Sequence, residues 1–110
     1  MKKFAIALAL VCGLAAVTLG AQEAVSAYAS CDEGMAKELF LQFEKETGIK
    51  VNFVRLSGGE AITRMEAEKA NPQVSIWVGG VGLDHIAGKA KGLTVAYNSR
   101  AAASIPKIYR

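Results

Sequence analysis

Apolar and polar positions along this chain keep two alternating rhythms. Residues 24–29 (AVSAYA) are small or apolar almost throughout and read as a short buried strand. Over residues 32–47, Met35, Leu39, Phe40 and Phe43 recur at helical spacing, which predicts a helix with those four turned inward. Gly48 follows, a residue suited to a left-handed helix cap. Residues 49–55 then alternate apolar and polar, the period of a strand. Residues 60–70 carry Ala61, Ile62 and Met65 on one helical face, and Asn71-Pro72 stops the run. Residues 74–78 (VSIWV) form a third strand-like stretch closed by Gly79-Gly80. Residues 83–91 are a third helix with Leu83, Ile86, Ala87 and Ala90 inward, ended by Gly92.

Two helix starts are marked by chemistry as well as period. Ser30-Cys31-Asp32-Glu33 and Ser57-Gly58-Gly59-Glu60 both place Ser three residues ahead of Glu, the spacing of a capping box. Each follows a strand directly. The resulting order, β-α-β-α-β-α, predicts an α/β fold on a parallel sheet with right-handed crossovers. The stretch from Thr94 onward has no clear period.

The first residues follow a different logic. Lys2 and Lys3 precede sixteen uncharged residues, 4–19, and Leu19-Gly20-Ala21 supplies the small residue that signal peptidase requires. Residues 1–21 are expected to be a secretory signal peptide, cut after Ala21, because the apolar run is short for a membrane span of roughly 20 residues. An uncleaved anchor is the alternative. Cys12 would allow lipidation, but Ala9-Leu10-Val11 lacks the usual small residue directly ahead of it. Removing 21 of 110 residues leaves 89, and two of the 13 basic residues go with them. Eleven basic residues then face ten acidic ones, and the net charge falls from +3 to +1. That near-balance removes the main support for a nucleic-acid partner. Cys31 is left as the sole cysteine, so a disulfide-stapled mini-protein is excluded.

In an open parallel sheet, ligands bind beyond the carboxyl ends of the strands. Here those ends hold Ser30, then Ser57-Gly58-Gly59, then Gly79-Gly80. Helix N-termini favour anions, glycine lets a backbone come close to a ligand, and serine adds a hydroxyl. Ser30, Ser57, Gly58, Gly59 and Gly80 are therefore the candidate ligand-binding residues; ordinary capped turns are the plainer alternative. The run from Gly80 to His85 begins like a dinucleotide fingerprint, but His85 stands where its third glycine belongs. Asp84 and His85 could ligate a metal or form a catalytic pair, yet a lone helical His reads as surface. Cys31 could be a reactive thiol, with a small buried cap residue the plainer reading. Trp77 fits a strand core. No catalytic residue and no metal set is assigned.

The phrases FEKETGIKVNFVRLSGGE, AEKANPQ and the strand end from Trp77 to Gly80 resemble the start of periplasmic solute-binding proteins of ABC importers, nearest the iron(III)-type branch. The resemblance implies two α/β lobes closing on a ligand. Residues 22–110 would be a partial first lobe of the type 2 fold, truncated before the second. It also implies no enzyme activity, a small-molecule solute, an ABC permease as partner, a periplasmic location, no membrane span after signal cleavage, and a monomer. Iron-binding members carry a His in the first turn and a Glu after the third strand, where this chain holds Asp32 or Cys31, and Gly79. The resemblance therefore fits an anionic or phosphorylated solute better than iron(III) with a synergistic anion. No cofactor is expected beyond such a ligand. The rival readings are a small exported flavodoxin-like redox domain or enzyme, and a non-functional gene remnant.

Overall fold

The computed structural model describes residues 24–109; the expected signal peptide and Cys12 lie outside the described residues. Strand β1 (Ala24–Ser30) leads to helix α1 (Glu33–Thr47), β2 (Lys50–Arg55), α2 (Gly58–Ala67), β3 (Ile76–Gly79) and α3 (Gly82–Ala90). Two short 3-10 turns, Arg100–Ser104 and Lys107–Tyr109, follow. The sheet has the order β2-β1-β3 and is parallel throughout. The α/β class and the element order expected from the periodicity are both present. Among the described residues, no helix is long and apolar enough to cross a membrane.

Placing β1 centrally decides which residues are core. The register sets Tyr28 beside Val54 and Trp77, and Ser30 beside Gly79. Side chains alternate across a strand, so Ala27 and Ala29 face the opposite side, where α1 packs. There Ala27, Ala29, Ala36 and Phe40 form the buried cluster, flanked by Cys31, Val51, Phe53 and Val78. The alanines let α1 sit close to the sheet, and Phe40 fills the remaining space against Phe53, with ring centroids 5.0 Å apart.

The other face carries a polar anchor. Tyr28 is 1% exposed, and its hydroxyl meets both carboxylate oxygens of Glu68 at 2.8 and 2.7 Å. Arg64 Nε donates to the same carboxylate at 2.9 Å, and its guanidinium lies 5.2 Å from the Tyr28 ring centre. Tyr28 is held above its ordinary pKa, first by burial and then by Glu68. Glu68 is held below its own, first by the Tyr28 hydrogen bond and then by Arg64. Helices α2 and α3 are tied at their far ends, where Lys91 Nζ meets Glu66 at 2.6 Å and Lys69 Nζ donates to the Lys91 carbonyl at 2.7 Å.

Several local expectations need correction. Helix α1 is capped by Asp32, not by Ser30: Asp32 Oδ1 accepts from the Gly34 and Met35 amides at 2.9 and 3.2 Å. Ser30 still belongs to β1. The second capping box is present as expected, with Ser57 and Glu60 exchanging bonds, and Gly48 takes the left-handed cap at φ 74°. Helix α2 ends at Ala67 rather than residue 70, because turns tighten ahead of Pro72, with the Asn71 amide donating to Glu68 O at 2.8 Å. Met35 and Leu39 are 60% and 51% exposed, and Leu83 and Ile86 are 77% and 65% exposed. Helix α1 seats on the sheet by Ala36 and Phe40, and α3 by Gly88, where an added Cβ would lie 3.2 Å from Trp77. Three strands are too narrow to cover the flanking large side chains.

Candidate functional site

The carboxyl ends of β1 and β3 lie side by side, and the backbone fixes their approach. The Gly80 amide donates to Ser30 O at 2.7 Å, carrying the pairing one residue past β3. Gly79 and Gly80 have φ of 78° and 79°, a region that costs little only for glycine. At Gly79 a side chain is barred twice, since its Cβ would stand 2.8 Å from the Ser30 carbonyl oxygen.

On this base sits a relay of side chains. Trp77 Nε1 donates to Ser30 Oγ at 2.8 Å. The indole stacks against His85, with ring centroids 4.2 Å apart and planes tilted by 32°. His85 Nε2 lies 2.6 Å from Gly79 O. A carbonyl can only accept, so Nε2 carries a proton in this arrangement. His85 is solvent-exposed, as expected for a surface histidine, yet it is tied at one nitrogen and stacked on one face. Trp77 is half-buried rather than a plain core residue, because its N–H points to the strand ends.

Asp84 joins α3 to α2. Its Oδ2 accepts from the Val81 amide at 3.4 Å, and the same oxygen stands within the volume that a Cβ on Gly58 would need. Gly58 is therefore glycine because the Asp84 carboxylate occupies its side-chain space. A Cβ on Gly80 would lie 3.6 Å from Asp84 Oδ2, 3.6 Å from His85 Nε2 and 3.6 Å from Ser30 Cβ. Ser30, Asp84 and His85 thus surround the side-chain position that Gly80 leaves vacant, each in ordinary contact distance of a methyl group there.

The candidate residues fall into two groups. Ser30, Gly58 and Gly80 gather around Asp84 and His85. Ser57 and Gly59 do not take part in the same way. The Ser57 hydroxyl is 2.7 Å from Glu60 Oε2 and accepts from the Glu60 amide at 3.3 Å. That pairing, first through the Ser57 hydroxyl and then through its amide, holds the Glu60 carboxyl below its usual pKa. A Cβ on Gly59 would meet nothing within 4 Å, so packing does not demand glycine there. Cys31 is half-buried against the core cluster and does not cap α1, a place that Asp32 takes. Among the described residues, no group of three or more His, Cys, Asp or Glu side chains lies together as a metal set. An open groove of about 810 Å³ runs along β3 and is lined in part by Trp77 and His85.

Comparison with solved structures relates this fold to periplasmic binding proteins. The chain is similar to the periplasmic binding protein P5PA, with 28% identity and a TM-score of 0.74 over 79% of this chain and 28% of that one. It is similar to AfuA from Actinobacillus pleuropneumoniae, solved with exogenous fructose-6-phosphate bound, with 29% identity and a TM-score of 0.75 over 78% and 27%. The iron- and citrate-bound FutA (IdiA) of Trichodesmium is 25% identical, with a TM-score of 0.65 over 73% and 25%. An uncharacterized protein of Haemophilus influenzae is 29% identical over 73 residues, 66% of this chain and 21% of that protein. No family model matches. The described residues have the fold of part of a periplasmic binding protein, and the chain spans between 21% and 28% of the length of these proteins.

Proposed function

We propose that this chain contributes to the solute-binding component of an ABC importer, working in the periplasm, and that its solute carries an anionic, phosphorylated group. The carrying observation is the pair of backbone amides of Gly58 and Gly59 at the carboxyl end of β2, which the capping box leaves unused. The Gly58 and Gly59 amides open α2, and the capping box uses only the amides on either side of them. Two backbone donors at a helix N-terminus suit a phosphoryl group. The likeness to AfuA supports the same class of solute.

The role is binding without chemistry. The Ser30 hydroxyl accepts from Trp77, and the Ser57 hydroxyl pairs with the Glu60 carboxylate that closes the capping box. His85 is tied to a carbonyl. A membrane permease is the partner to which the solute passes. The likeness to FutA favours a second reading, iron(III) held with a synergistic anion.

Titration calorimetry of the purified chain tests both. Saturable heat with fructose-6-phosphate or inorganic phosphate supports the first reading. Heat with ferric citrate alone moves the assignment to the second. A cooperatively folded sample that gives no heat with any of the three overturns the solute-binding reading.

A further inference from the structure

We infer that residues 89–110 form a docking surface for an anionic lipid bilayer. The inference goes beyond solute binding and stands on residues that the candidate site does not use.

Charge is divided along the chain. Residues 22–88 hold all ten acidic residues and six basic ones. Residues 89–110 hold five basic residues, Lys89, Lys91, Arg100, Lys107 and Arg110, and no acidic one. The near-balance of the whole thus joins a negative part to a positive part, and such asymmetry points to a charged partner. Lys91 is matched by Glu66 at 2.6 Å. Lys89, Arg100 and Lys107 are exposed and make no ion pair among the described residues.

Bare apolar side chains lie among these cations. Val95, Tyr97, Ile108 and Tyr109 are between 78% and 91% exposed. None of them belongs to the buried cluster. Other exposed apolar residues have different company: Met35 and Leu39 on α1 stand beside Glu33 and Glu38, which an anionic surface repels.

The mixture of side chains decides the partner. Lys and Arg are attracted to anionic headgroups, Tyr sits at the level of those headgroups, and aliphatic side chains enter the acyl boundary. A nucleic acid offers phosphates too, but its bases are held by stacking on aromatic rings and guanidinium planes. Val95, Ile105 and Ile108 gain nothing from stacking. Among the described residues no helix is long and apolar enough to cross a membrane, so the contact lies at the interface. The acidic part of the chain is then turned away from the lipid.

Sedimentation of the full chain with vesicles tests the assignment, using phosphatidylcholine alone or mixed with phosphatidylglycerol. Binding should be tighter to the anionic vesicles and should weaken with salt. Arg100→Gln and Lys107→Gln should each weaken it roughly five-fold. Lys45→Gln, an exposed change on α1, should leave it unaltered. The uncharged run 4–19 is common to all these samples, so differences among them belong to the substituted side chains. Ile108→Trp in a Trp77→Phe background reports contact directly: its emission should shift to the blue on anionic vesicles and stay in place on neutral ones. Equal binding by Arg100→Gln, Lys107→Gln and the unaltered chain overturns the docking surface. An Ile108→Trp emission unmoved by anionic vesicles does so as well. Tighter binding of a single-stranded oligonucleotide than of the vesicles overturns the lipid in favour of nucleic acid. None of these results bears on the calorimetry that tests solute binding.

Discussion

The indole nitrogen of Trp77 donates to the Ser30 hydroxyl across 2.8 Å, joining residues 47 positions apart in the chain. Trp77 is the only tryptophan, so its emission reports on this bond. Ser30→Ala leaves a half-buried N–H without a partner, a cost of about 1–3 kcal/mol. We expect a lower urea midpoint and a shifted emission maximum. An unchanged emission maximum would show that the bond does not set the environment of the ring.

Adjacent glycines should respond in opposite directions. At Gly58 a methyl group would collide with Asp84 Oδ2, whereas at Gly59 it would meet nothing within 4 Å. Gly58→Ala is expected to destabilise, because α3 must shift or Asp84 must swing out. Gly59→Ala is expected to stabilise by about 0.4–1 kcal/mol, through a less flexible unfolded chain and a better helix former. Paired denaturation curves check the contrast; two changes of the same sign would refute it.

Stability should decline at both ends of the pH range through one hydrogen-bonded pair. Glu68 has a lowered folded pKa, so its contribution is present above the unfolded carboxyl value near 4.5 and is lost as pH falls through the folded value. Tyr28 has a raised one, so its contribution is complete below the ordinary value of 10.0 and is lost as pH rises through the folded value. Tyr28→Phe should flatten the alkaline limb. Glu68→Gln should remove part of the acid limb, the rest belonging to Glu33, Glu44 and Glu60, which are also lowered. Thermal midpoints measured across pH give both limbs.

Phe40 carries an outsized share of the core, since its buried neighbours Ala27, Ala29 and Ala36 are all small. Phe40→Ala removes the contact with Phe53 and should cost about 3–5 kcal/mol. In so small a fold that approaches the whole stability. The variant should lose its cooperative melt, and retention of a sharp transition would move the core elsewhere.

Export carries its own expected outcome. If residues 1–21 act as a signal peptide, mass spectrometry of the periplasmic form gives Gln22 as the first residue. A species that keeps Met1 in the membrane fraction would favour the anchor instead.

Much of the frame is legible in the sequence because it depends on local chemistry. Gly48 and the Ser57–Glu60 pair act within a few residues of themselves, and both stand as their spacing implies. Ser30 has the spacing to Glu33 that suits a capping box, yet it caps nothing. The competing acceptor, Asp32, lies nearer the first helical amides, and Ser30 is drawn away by a tryptophan its own neighbourhood does not reveal. Met35, Leu39, Leu83 and Ile86 depart from expectation for a related reason. Periodicity identifies an apolar stripe but not the width of the sheet available to cover it.

By itself, the sequence determined the element order, the parallel α/β class and the glycine- and serine-rich strand ends, since strand and helix periods and caps are short-range properties. Only the tertiary structure decided that β1 lies between β2 and β3. That placement brings Ser30 to Trp77, Asp84 to Gly58 and His85 to Gly79. Each of these meetings depends on strand register and on how closely a helix can approach a backbone without side chains. Those are properties of packed surfaces, which no single stretch of chain carries.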